Sequence, residues 1–264
     1  MRFSSLGSGS RGNALIIDST KTKVLIDCGL STKVLCARLE KLGLTPEHLD
    51  AIFITHEHSD HIKGLKSLVN KYKIPIFMTH GTYISTNIRF KEEINILYDA
   101  EKIILDDLEI EPIIVPHDSR EPCQFVVCFK KSESDQDDKN IYIKKLGILT
   151  DLGSFSKRVI EAYKNCDALV LECNHDERML SNGPYSLSLK KRVLSDWGHL
   201  SNHQSAEFIN ICDKEKLQWL VLAHISEQNN TKELALNTIK NFFPYDKKIL
   251  VADQDEGFDW LNII

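Results

Sequence analysis

The sequence HEHSDH, residues 56–61, places three histidines and one aspartate within six positions. It follows an apolar run at 51–55 that predicts a β-strand, and it precedes a stretch with helical spacing of apolar residues. Because alternate residues of an extended segment share a face, the first two histidines can point to one place. The start of the helix then turns the aspartate and the last histidine toward a second place. Imidazole and carboxylate groups bind Zn²⁺, Mn²⁺ and Fe²⁺ alike, so the segment predicts four ligands for two metal ions: His56, His58, Asp60 and His61.

Candidate partners for these four ligands occur farther along the chain. His117, Asp151 and His224 each directly follow a predicted strand. One histidine behind a strand is more often a capping or surface residue than a ligand. Four loops that converge at one edge of a sheet are stronger evidence for a metal site than any one of these residues alone. We therefore expect these three residues to complete a two-metal site.

Strand-like and helix-like segments alternate along the chain. The pattern predicts strands at 2–5, 13–18, 23–27, 51–55, 74–78, 102–105, 109–115, 123–129, 141–150, 168–172, 219–223 and 248–252, and helices at 31–42, 62–72, 156–165, 187–197, 201–212 and 231–242. The polar stretch KKSESDQDDKN at 130–140 predicts a solvated hairpin loop. The chain contains no internal repeat and no linker-like segment. We therefore expect one α+β domain over residues 1–264, with two β-sheets packed together and helices outside them.

The composition is typical of a soluble globular protein. The 264 residues are 42% hydrophobic and 27% charged, with a formal net charge of −5, which disfavours a disordered or a uniformly basic protein. A local basic strip can still bind nucleic acid. No stretch approaches the roughly 18 apolar residues of a membrane span, and the start of the chain lacks the apolar core of a signal peptide. The seven cysteines form no CxxC pair, so we expect reduced thiols, a cytoplasmic location and no cysteine-rich zinc site.

With these motifs the sequence resembles the metallo-β-lactamase superfamily of metallohydrolases over essentially its whole length. The resemblance implies a four-layer αβ/βα sandwich of two mixed β-sheets flanked by helices, with two divalent ions, Zn²⁺ or Mn²⁺, at the edge where the sheets meet. It implies that His56, His58 and His117 bind the first ion, that Asp60, His61 and His224 bind the second, and that Asp151 bridges them. Asp27 resembles a carboxylate that orients a ligating group; the alternative is a turn cap before Gly29.

Further segments resemble one bacterial branch of this superfamily. GSGSRGN at 7–13, ECNHD at 172–176, GPYSLSLKKR at 183–192, GHLSN at 198–202 and LAHIS at 222–226 occur together. The branch is described as a 5′→3′ double-stranded DNA exonuclease linked to mismatch repair. The sequence is more distantly similar to ribonuclease Z, which processes the 3′ end of tRNA. It has no glycine- and proline-rich arm for gripping tRNA, which disfavours that activity.

The similarity to ribonuclease Z points to two catalytic candidates besides Asp60. It implies that His199 assists the leaving oxygen, as a proton donor or hydrogen-bond donor, with Glu172 steering the imidazole. The alternative for His199 is an N-cap of the helix that follows. His175 either reaches the rim of the site or caps its own loop, and the sequence leaves these two readings open.

A basic run, Lys190, Lys191 and Arg192, precedes His199 by less than ten residues. These side chains are candidates for contacts with substrate phosphates, and the alternative is a solvated helix face. The glycine-rich loop at 7–13 could also hold a phosphate through its backbone N–H groups.

Together these features predict an enzyme, a dinuclear metal-dependent hydrolase. We expect a phosphodiesterase acting on nucleic acid, a DNA exonuclease above all, with a metal-bridging hydroxide as the nucleophile. The alternative is hydrolysis of a thioester, lactone or β-lactam at the same ions. A di-iron oxidoreductase is disfavoured because His58 stands where that branch typically has glutamate, and the complete ligand set disfavours a non-catalytic scaffold. The sequence leaves open which metal is bound, DNA or RNA as substrate, the polarity of cleavage and the oligomeric state.

Overall fold

Two mixed β-sheets stack face to face in the computed structural model of the chain, with helices on their outer surfaces. The structure describes residues 1–19, 21–91, 93–132, 141–212, 215–243 and 248–264. The described strands are β1 (Arg2–Gly7), β2 (Ala14–Asp18), β3 (Lys23–Ile26), β4 (Ala51–Phe53), β5 (Ile76–Thr79), β6 (Ile94–Leu97), β7 (Ile103–Leu105), β8 (Leu108–Ile114), β9 (Cys123–Ser132), β10 (Ile141–Leu149), β11 (Ala168–Glu172), β12 (Trp219–Ala223), β13 (Lys248–Val251) and β14 (Phe258–Asn262).

The helices are short. They are α1 (Thr32–Lys41), α2 (Ser59–Ile62), α3 (Leu65–Tyr72), α4 (His80–Ser85), α5 (Lys157–Ala162), α6 (Glu177–Asn182), α7 (Leu187–Val193), α8 (Asn202–Ile211) and α9 (Lys232–Lys240). None of those described is long and apolar enough to cross a membrane.

Each sheet combines an antiparallel half with a parallel half. In the first sheet the strand order is β14-β1-β2-β3-β4-β5-β6, antiparallel as far as β3 and parallel from β3 onward. In the second sheet the order is β13-β12-β11-β10-β9-β8-β7, with parallel pairing from β10 to β13. The carboxyl ends of the parallel strands are therefore the natural place for a site, because loops from several neighbouring strands leave the sheet at one edge.

Three buried apolar layers hold these elements together. The central layer joins the two sheets, and it includes Phe53 from β4 and Phe125 from β9. A second layer packs α1 and α3 on the first sheet, and a third packs α5, α8 and α9 on the other sheet. The result is the predicted four-layer sandwich, so the fold class expected from the sequence is confirmed.

The structure also differs from the sequence prediction at several elements. The helix expected at 62–72 is two helices, α2 and α3, separated at Gly64, where a Cβ atom would come within 2.1 Å of the Leu30 carbonyl oxygen. The strands β6 and β14 and the helices α4 and α6 were not predicted. They are short, and β14 forms through pairing with β1 at the other end of the chain, which no local pattern reveals. The expected loop at 130–140 begins within β9, and its residues 133–140 lie outside the described residues.

The aromatic contacts of the central layer give a stability prediction. Phe53 is fully buried, stacks on Phe77 with ring centroids 4.6 Å apart, and meets Phe125 edge-on at 5.6 Å. Phe53→Ala should lower the free energy of unfolding by about 3–5 kcal/mol because it leaves a cavity between the sheets. Urea denaturation measures this loss. Ile104→Ala is the control, since Ile104 is 69% exposed and should change stability by less than about 0.5 kcal/mol.

Candidate metal centre

Two of the sequence-predicted ligands, Asp151 and His224, and the predicted orienting carboxylate Asp27 lie at the carboxyl ends of strands from both sheets. Asp27 directly follows β3, Asp151 follows β10 after one residue, and His224 directly follows β12. All three have left-handed backbone conformations, with φ values of 62°, 58° and 54°. Non-glycine residues rarely adopt this conformation, and such strain is concentrated at functional sites. The HEHSDH motif leaves β4 and enters α2, whose N-cap position is His58.

Three imidazoles form the first group. The ring of His56 lies 4.5 Å from the ring of His58 and 4.9 Å from that of His117, and the last two are 5.2 Å apart. His117 Nδ1 donates to the carbonyl oxygen of Gly198 at 2.9 Å. This hydrogen bond leaves His117 Nε2 as a lone-pair donor toward the other two rings. The three side chains could hold one metal ion.

The second group consists of Asp60, His61 and His224. Asp60 Oδ2 lies 3.4 Å from His61 Nε2 and 3.7 Å from His224 Nε2. Asp151 adjoins both groups of ligands: its Oδ2 is 3.2 Å from His61 Nε2 and its Oδ1 is 3.1 Å from His224 Nδ1 in the second group, and its carboxylate lies within 4.8 Å of a ring nitrogen of His56 in the first. Asp151 can also share an ion with His56 and His61. The structure thus brings all seven sequence-predicted ligands together.

Unpaired polar atoms test whether this arrangement fits metal ions. His56 Nε2, His117 Nε2, His224 Nε2 and Asp151 Oδ2 are buried, and none has a hydrogen-bond partner among the described residues. A buried polar atom without a partner costs about 1–3 kcal/mol, so these atoms call for a cation. Imidazole nitrogen and carboxylate oxygen suit Zn²⁺ and Mn²⁺. The donor set therefore fits divalent metal ions without selecting one of them.

The charges at the centre favour a cation as well. Burial acts against ionisation of Asp151, but the imidazoles of His224 and His61 hold the pKa of this carboxyl well below its usual range. Burial likewise opposes a charged His224, yet Asp151, Asp60 and Glu172 raise the pKa of its imidazole to about 10. By contrast, burial lowers the pKa of His56 well below its ordinary value. The carboxylates thus hold a proton on His224 in the metal-free site, and a divalent cation has to displace it, since metal binding requires ionised carboxylates and neutral imidazoles.

Asp27 holds the His61 ring in place. Its Oδ2 accepts from His61 Nδ1 at 2.7 Å, and its Oδ1 accepts from the backbone N–H of Thr55 at 2.9 Å. The Thr55 hydroxyl lies 3.0 Å from Oδ1 and 2.9 Å from Oδ2. With Nδ1 engaged by a fixed carboxylate, the Nε2 lone pair of His61 faces the two groups of ligands. Asp27 therefore contacts a candidate ligand rather than acting as an isolated turn cap.

Glu172 plays the same part in the second sheet. It ends β11 and is fully buried, and its Oε1 lies 2.8 Å from His199 Nδ1 and 3.1 Å from His224 Nδ1. Its Oε2 accepts the backbone N–H groups of Leu152 and Leu200, at 3.2 and 2.9 Å. Although burial opposes ionisation, His199 and His224 lower the pKa of Glu172 to about 2. Because both oxygens are occupied, Glu172 orients other side chains and does not face the cavity.

His199 is one of two partly exposed imidazoles of the site, with 22% of its side chain accessible, against 31% for His58. It lines an open cavity of about 250 Å³ together with His58, Asp60, Asp151 and His224. The N-cap of α8 is Ser201, whose hydroxyl accepts from Gln204 N, so His199 does not cap this helix. His175 is fully buried away from the cavity and bridges to Ser201 through the backbone, while Asp176 caps α6.

The three basic residues of α7 have different surroundings. Arg192 lines the cavity and pairs with Asp118, a cavity residue that lies 3.8 Å from His58 and 3.4 Å from His117. Lys190 Nζ instead donates to the carbonyl oxygen of Ser181 at 2.7 Å. Lys191 is exposed and does not line the cavity. The structure places one of these three cations in the cavity wall.

Two residues at the site were missed by sequence reasoning. Asn13 Nδ2 donates to Asp60 Oδ2 at 3.2 Å, and the Asn13 backbone N–H donates to the Asp60 carbonyl oxygen at 2.7 Å. Asn13 closes the glycine-rich loop, in which Gly9 N–H donates to Asn13 Oδ1 and Gly12 N–H to the Gly9 carbonyl oxygen. The N–H groups of Gly9, Gly12 and Asn13 therefore brace the loop and the site and are not available to hold a phosphate. Asp118 adjoins the predicted ligand His117, but only the fold reveals its pairing with Arg192.

Comparison with known proteins agrees with this geometry. Residues 22–225 match the family model of the β-lactamase superfamily domain. The chain is 36% identical to exodeoxyribonuclease WalJ of Streptococcus pneumoniae, over 98% of this chain and 92% of that protein. It is 35% identical to exodeoxyribonuclease YycJ of Bacillus anthracis, over 89% of this chain and 86% of the relative. The chain therefore belongs to the metallo-β-lactamase superfamily of hydrolases and is a homologue of these exodeoxyribonucleases.

More distant similarities support the same fold. Ribonuclease Z of Aeropyrum pernix is 30% identical over 44% of this chain and 37% of the relative, which confirms the expected distant similarity. The crystal structure of the metallo-β-lactamase fold protein YhfI from Bacillus subtilis superposes with a TM-score of 0.71 at 16% identity, covering 98% of both chains. At this identity the superposition supports the fold alone.

The contact between Asp27 and His61 gives a prediction for metal affinity. Asp27→Asn keeps the shape of the side chain but removes the charge that fixes the His61 ring. We expect metal affinity to fall by about 10- to 100-fold, as is typical when an outer carboxylate of a metal ligand is lost. Competition with a chromogenic chelator measures the affinity. Asp259→Asn is the matched control, because Asp259 is exposed, and equal affinities in both variants would contradict a positioning role for Asp27.

Proposed function

We propose that this protein is a dinuclear metal-dependent phosphodiesterase that acts on DNA as an exonuclease. The observation that carries the proposal is the set of buried, unpaired imidazole and carboxylate atoms at the ends of strands from both sheets. The homology to two exodeoxyribonucleases over nearly the whole chain supports DNA as the substrate. DNA repair is the process that we assign to this activity.

The proposed first ion is held by His56, His58 and His117, whose ligand atoms lie within 4.8 Å of one another. Asp60, His61 and His224 would hold the second ion, and Asp151 would be shared by the two ions, because its carboxylate lies within reach of His56 in the first group and of His61 and His224 in the second. Asp27, Glu172 and Gly198 occupy the Nδ1 atoms of His61, His224 and His117, respectively. Each of these hydrogen bonds leaves Nε2 for the metal.

Bound divalent ions supply a water of lowered pKa as nucleophile and neutralise charge on the phosphate oxygens. The protein's own residues orient the substrate and move the proton. Asp60, which is braced by Asn13 and lines the cavity, would be one of the residues that hold the second ion. His199, anchored through Nδ1 to Glu172, is proposed to donate a proton to the leaving oxygen. The carboxylate raises the pKa of His199 against the opposing effect of burial, which favours the protonated form that a general acid needs.

Lys190, Lys191 and Arg192 remain the proposed contacts with the phosphate backbone. Arg192 supports this role best, since its guanidinium lies in the cavity wall beside Asp118. We further propose that residues 1–264 form one domain, because the central apolar layer contains residues from both sheets. The seven free cysteines fit the proposed cytoplasmic location.

A substrate panel tests the proposed function. The metal-free protein is loaded with Zn²⁺ or Mn²⁺ in turn and incubated with end-labelled single- and double-stranded DNA and RNA, with a thioester and with a lactone. The proposal expects shortening of DNA from one end by one nucleotide at a time. Hydrolysis of the thioester or lactone without nucleic-acid cleavage would instead establish the alternative, a small-molecule hydrolase.

The role of His199 gives a prediction based on leaving groups. His199→Ala should retain both ions but lose about 10²- to 10⁴-fold in the rate of DNA cleavage, the usual contribution of a general acid. The loss should be smaller for bis-p-nitrophenyl phosphate, whose leaving group barely needs protonation. The measurement is the ratio of mutant to wild-type rates on each substrate. If the two ratios are equal, His199 is not the general acid.

The basic run gives a prediction for the salt dependence of binding. Changing Lys190, Lys191 and Arg192 together to Ala should flatten the log–log slope of DNA affinity against salt by about 0.7–0.9 for each lost phosphate contact. Arg192→Ala alone should account for one such step. Lys41→Ala is the control, because Lys41 is exposed and pairs with Glu256 outside the cavity. An unchanged slope in the triple variant would assign the run to a solvated helix face.

A further inference from the structure

Two aromatic residues flank the basic helix α7 in the sequence: Tyr185, in the wall of the metal cavity, and Trp197, which is exposed and adjoins the lining residue Gly198. Tyr185 lies just before α7 and lines the cavity. Trp197 follows α7 and directly precedes Gly198 and His199, which also line the cavity. The proposed function uses neither ring.

Trp197 differs from the other two tryptophans of the chain. The indole N–H of Trp219 donates to the Asn262 carbonyl oxygen, and Lys248 lies over its ring. Trp260 Nε1 donates to the Leu42 carbonyl oxygen, and Arg2 lies over that ring. Trp197 is 60% exposed, and within the described ranges its indole has neither kind of partner. A large aromatic surface is thus left free beside the candidate metal centre.

The turn that carries Trp197 is fixed to the site by backbone contacts. His199 N–H donates to the Val193 carbonyl oxygen at 3.0 Å, and Gly198 N–H donates to that of Ser195 at 2.8 Å. The Ser154 hydroxyl donates to the Asp196 carbonyl oxygen at 3.1 Å, which ties the turn to the loop after Asp151. A Cβ atom on Gly198 would come within 2.3 Å of backbone atoms of α7. The ring is therefore presented from a close-packed turn.

The charges around these rings indicate which partner would cover them. Arg192 lies between Tyr185 and Trp197 in the sequence, and its side chain lines the cavity. Lys191, on the same helix, is exposed. Exposed aromatic rings next to cations are the surface that binds unpaired nucleic acid, since bases stack on the rings while phosphates contact the cations. A paired base inside a duplex offers no free face for such stacking.

We propose that Tyr185 and Trp197 are base-stacking residues that receive an unpaired DNA strand at the mouth of the metal cavity. The proposal rests on the proposed nuclease function and specifies its substrate: the strand end must be single-stranded or frayed to enter. Arg192 and Lys191 neutralise the backbone phosphates, and the rings hold the bases in a sequence-independent manner.

Two probes of equal charge separate stacking from phosphate binding. The metal-loaded protein is titrated with a fluorescein-labelled phosphorothioate thymidine hexamer and with its abasic counterpart, and anisotropy gives the dissociation constants. Wild type should bind the thymidine hexamer more tightly than the abasic one. Trp197→Ala should weaken binding of the thymidine hexamer by about 5- to 150-fold, the range for loss of one stacked base, while the abasic hexamer binds as before. Tyr185→Ala should act in the same direction, and Trp197→Phe should recover most of the affinity.

Tyr98→Ala is the matched control, because Tyr98 is an aromatic residue of similar exposure, 63%, that directly follows β6 at the edge of the first sheet and has no place in or next to α7. Its affinities should equal those of wild type. If Trp197→Ala leaves both affinities unchanged, or weakens the two hexamers equally, the stacking proposal is overturned even though wild type binds and cleaves DNA. If wild type binds neither hexamer and cleaves no DNA, the proposed function itself fails.

Discussion

The carboxylate of Asp151 joins the two halves of the molecule at the candidate metal centre. It follows β10 of the second sheet, and its two oxygens approach His61, from the first sheet, and His224, from its own. These contacts require the ends of β4, β10 and β12 to meet at one edge, which the stacking of the sheets around Phe53 and Phe125 achieves. The apolar layer between the sheets therefore sets the positions from which the polar groups can converge.

Burial of these polar groups lowers the stability of the fold unless each group has a hydrogen-bond partner. Asp27 and Glu172 are buried carboxylates with every oxygen engaged, so they stabilise the rings that they hold. Asp151 Oδ2 and the Nε2 atoms of His56, His117 and His224 are left without a hydrogen-bond partner in the described part of the chain. These unpaired atoms and the three left-handed backbone conformations lower the free energy of unfolding. Binding of divalent ions would raise it again.

Local sequence signals predicted much of this arrangement. The alternation of strands and helices indicated two sheets with outer helices, and the HEHSDH motif, with three single residues after later strands, indicated which side chains converge. The contacts that complete the site could not be read in the same way. Asn13 reaches Asp60, and Asp118 reaches Arg192, across 47 and 74 positions of the chain. Likewise, β14 forms by pairing with the free edge of β1. Which basic side chains of α7 line the cavity depends on how the helix packs against the site.

We propose that two divalent ions share Asp151 as a bridging ligand. The most direct test is elemental analysis of wild type and Asp151→Ala after loading with Zn²⁺ or Mn²⁺ and removal of excess metal. We expect two ions per chain in wild type and loss of bound metal in Asp151→Ala, with correctly folded protein confirmed by circular dichroism. Two ions per chain retained by Asp151→Ala would contradict the bridging role, and fewer than two ions in fully loaded wild type would contradict the dinuclear centre.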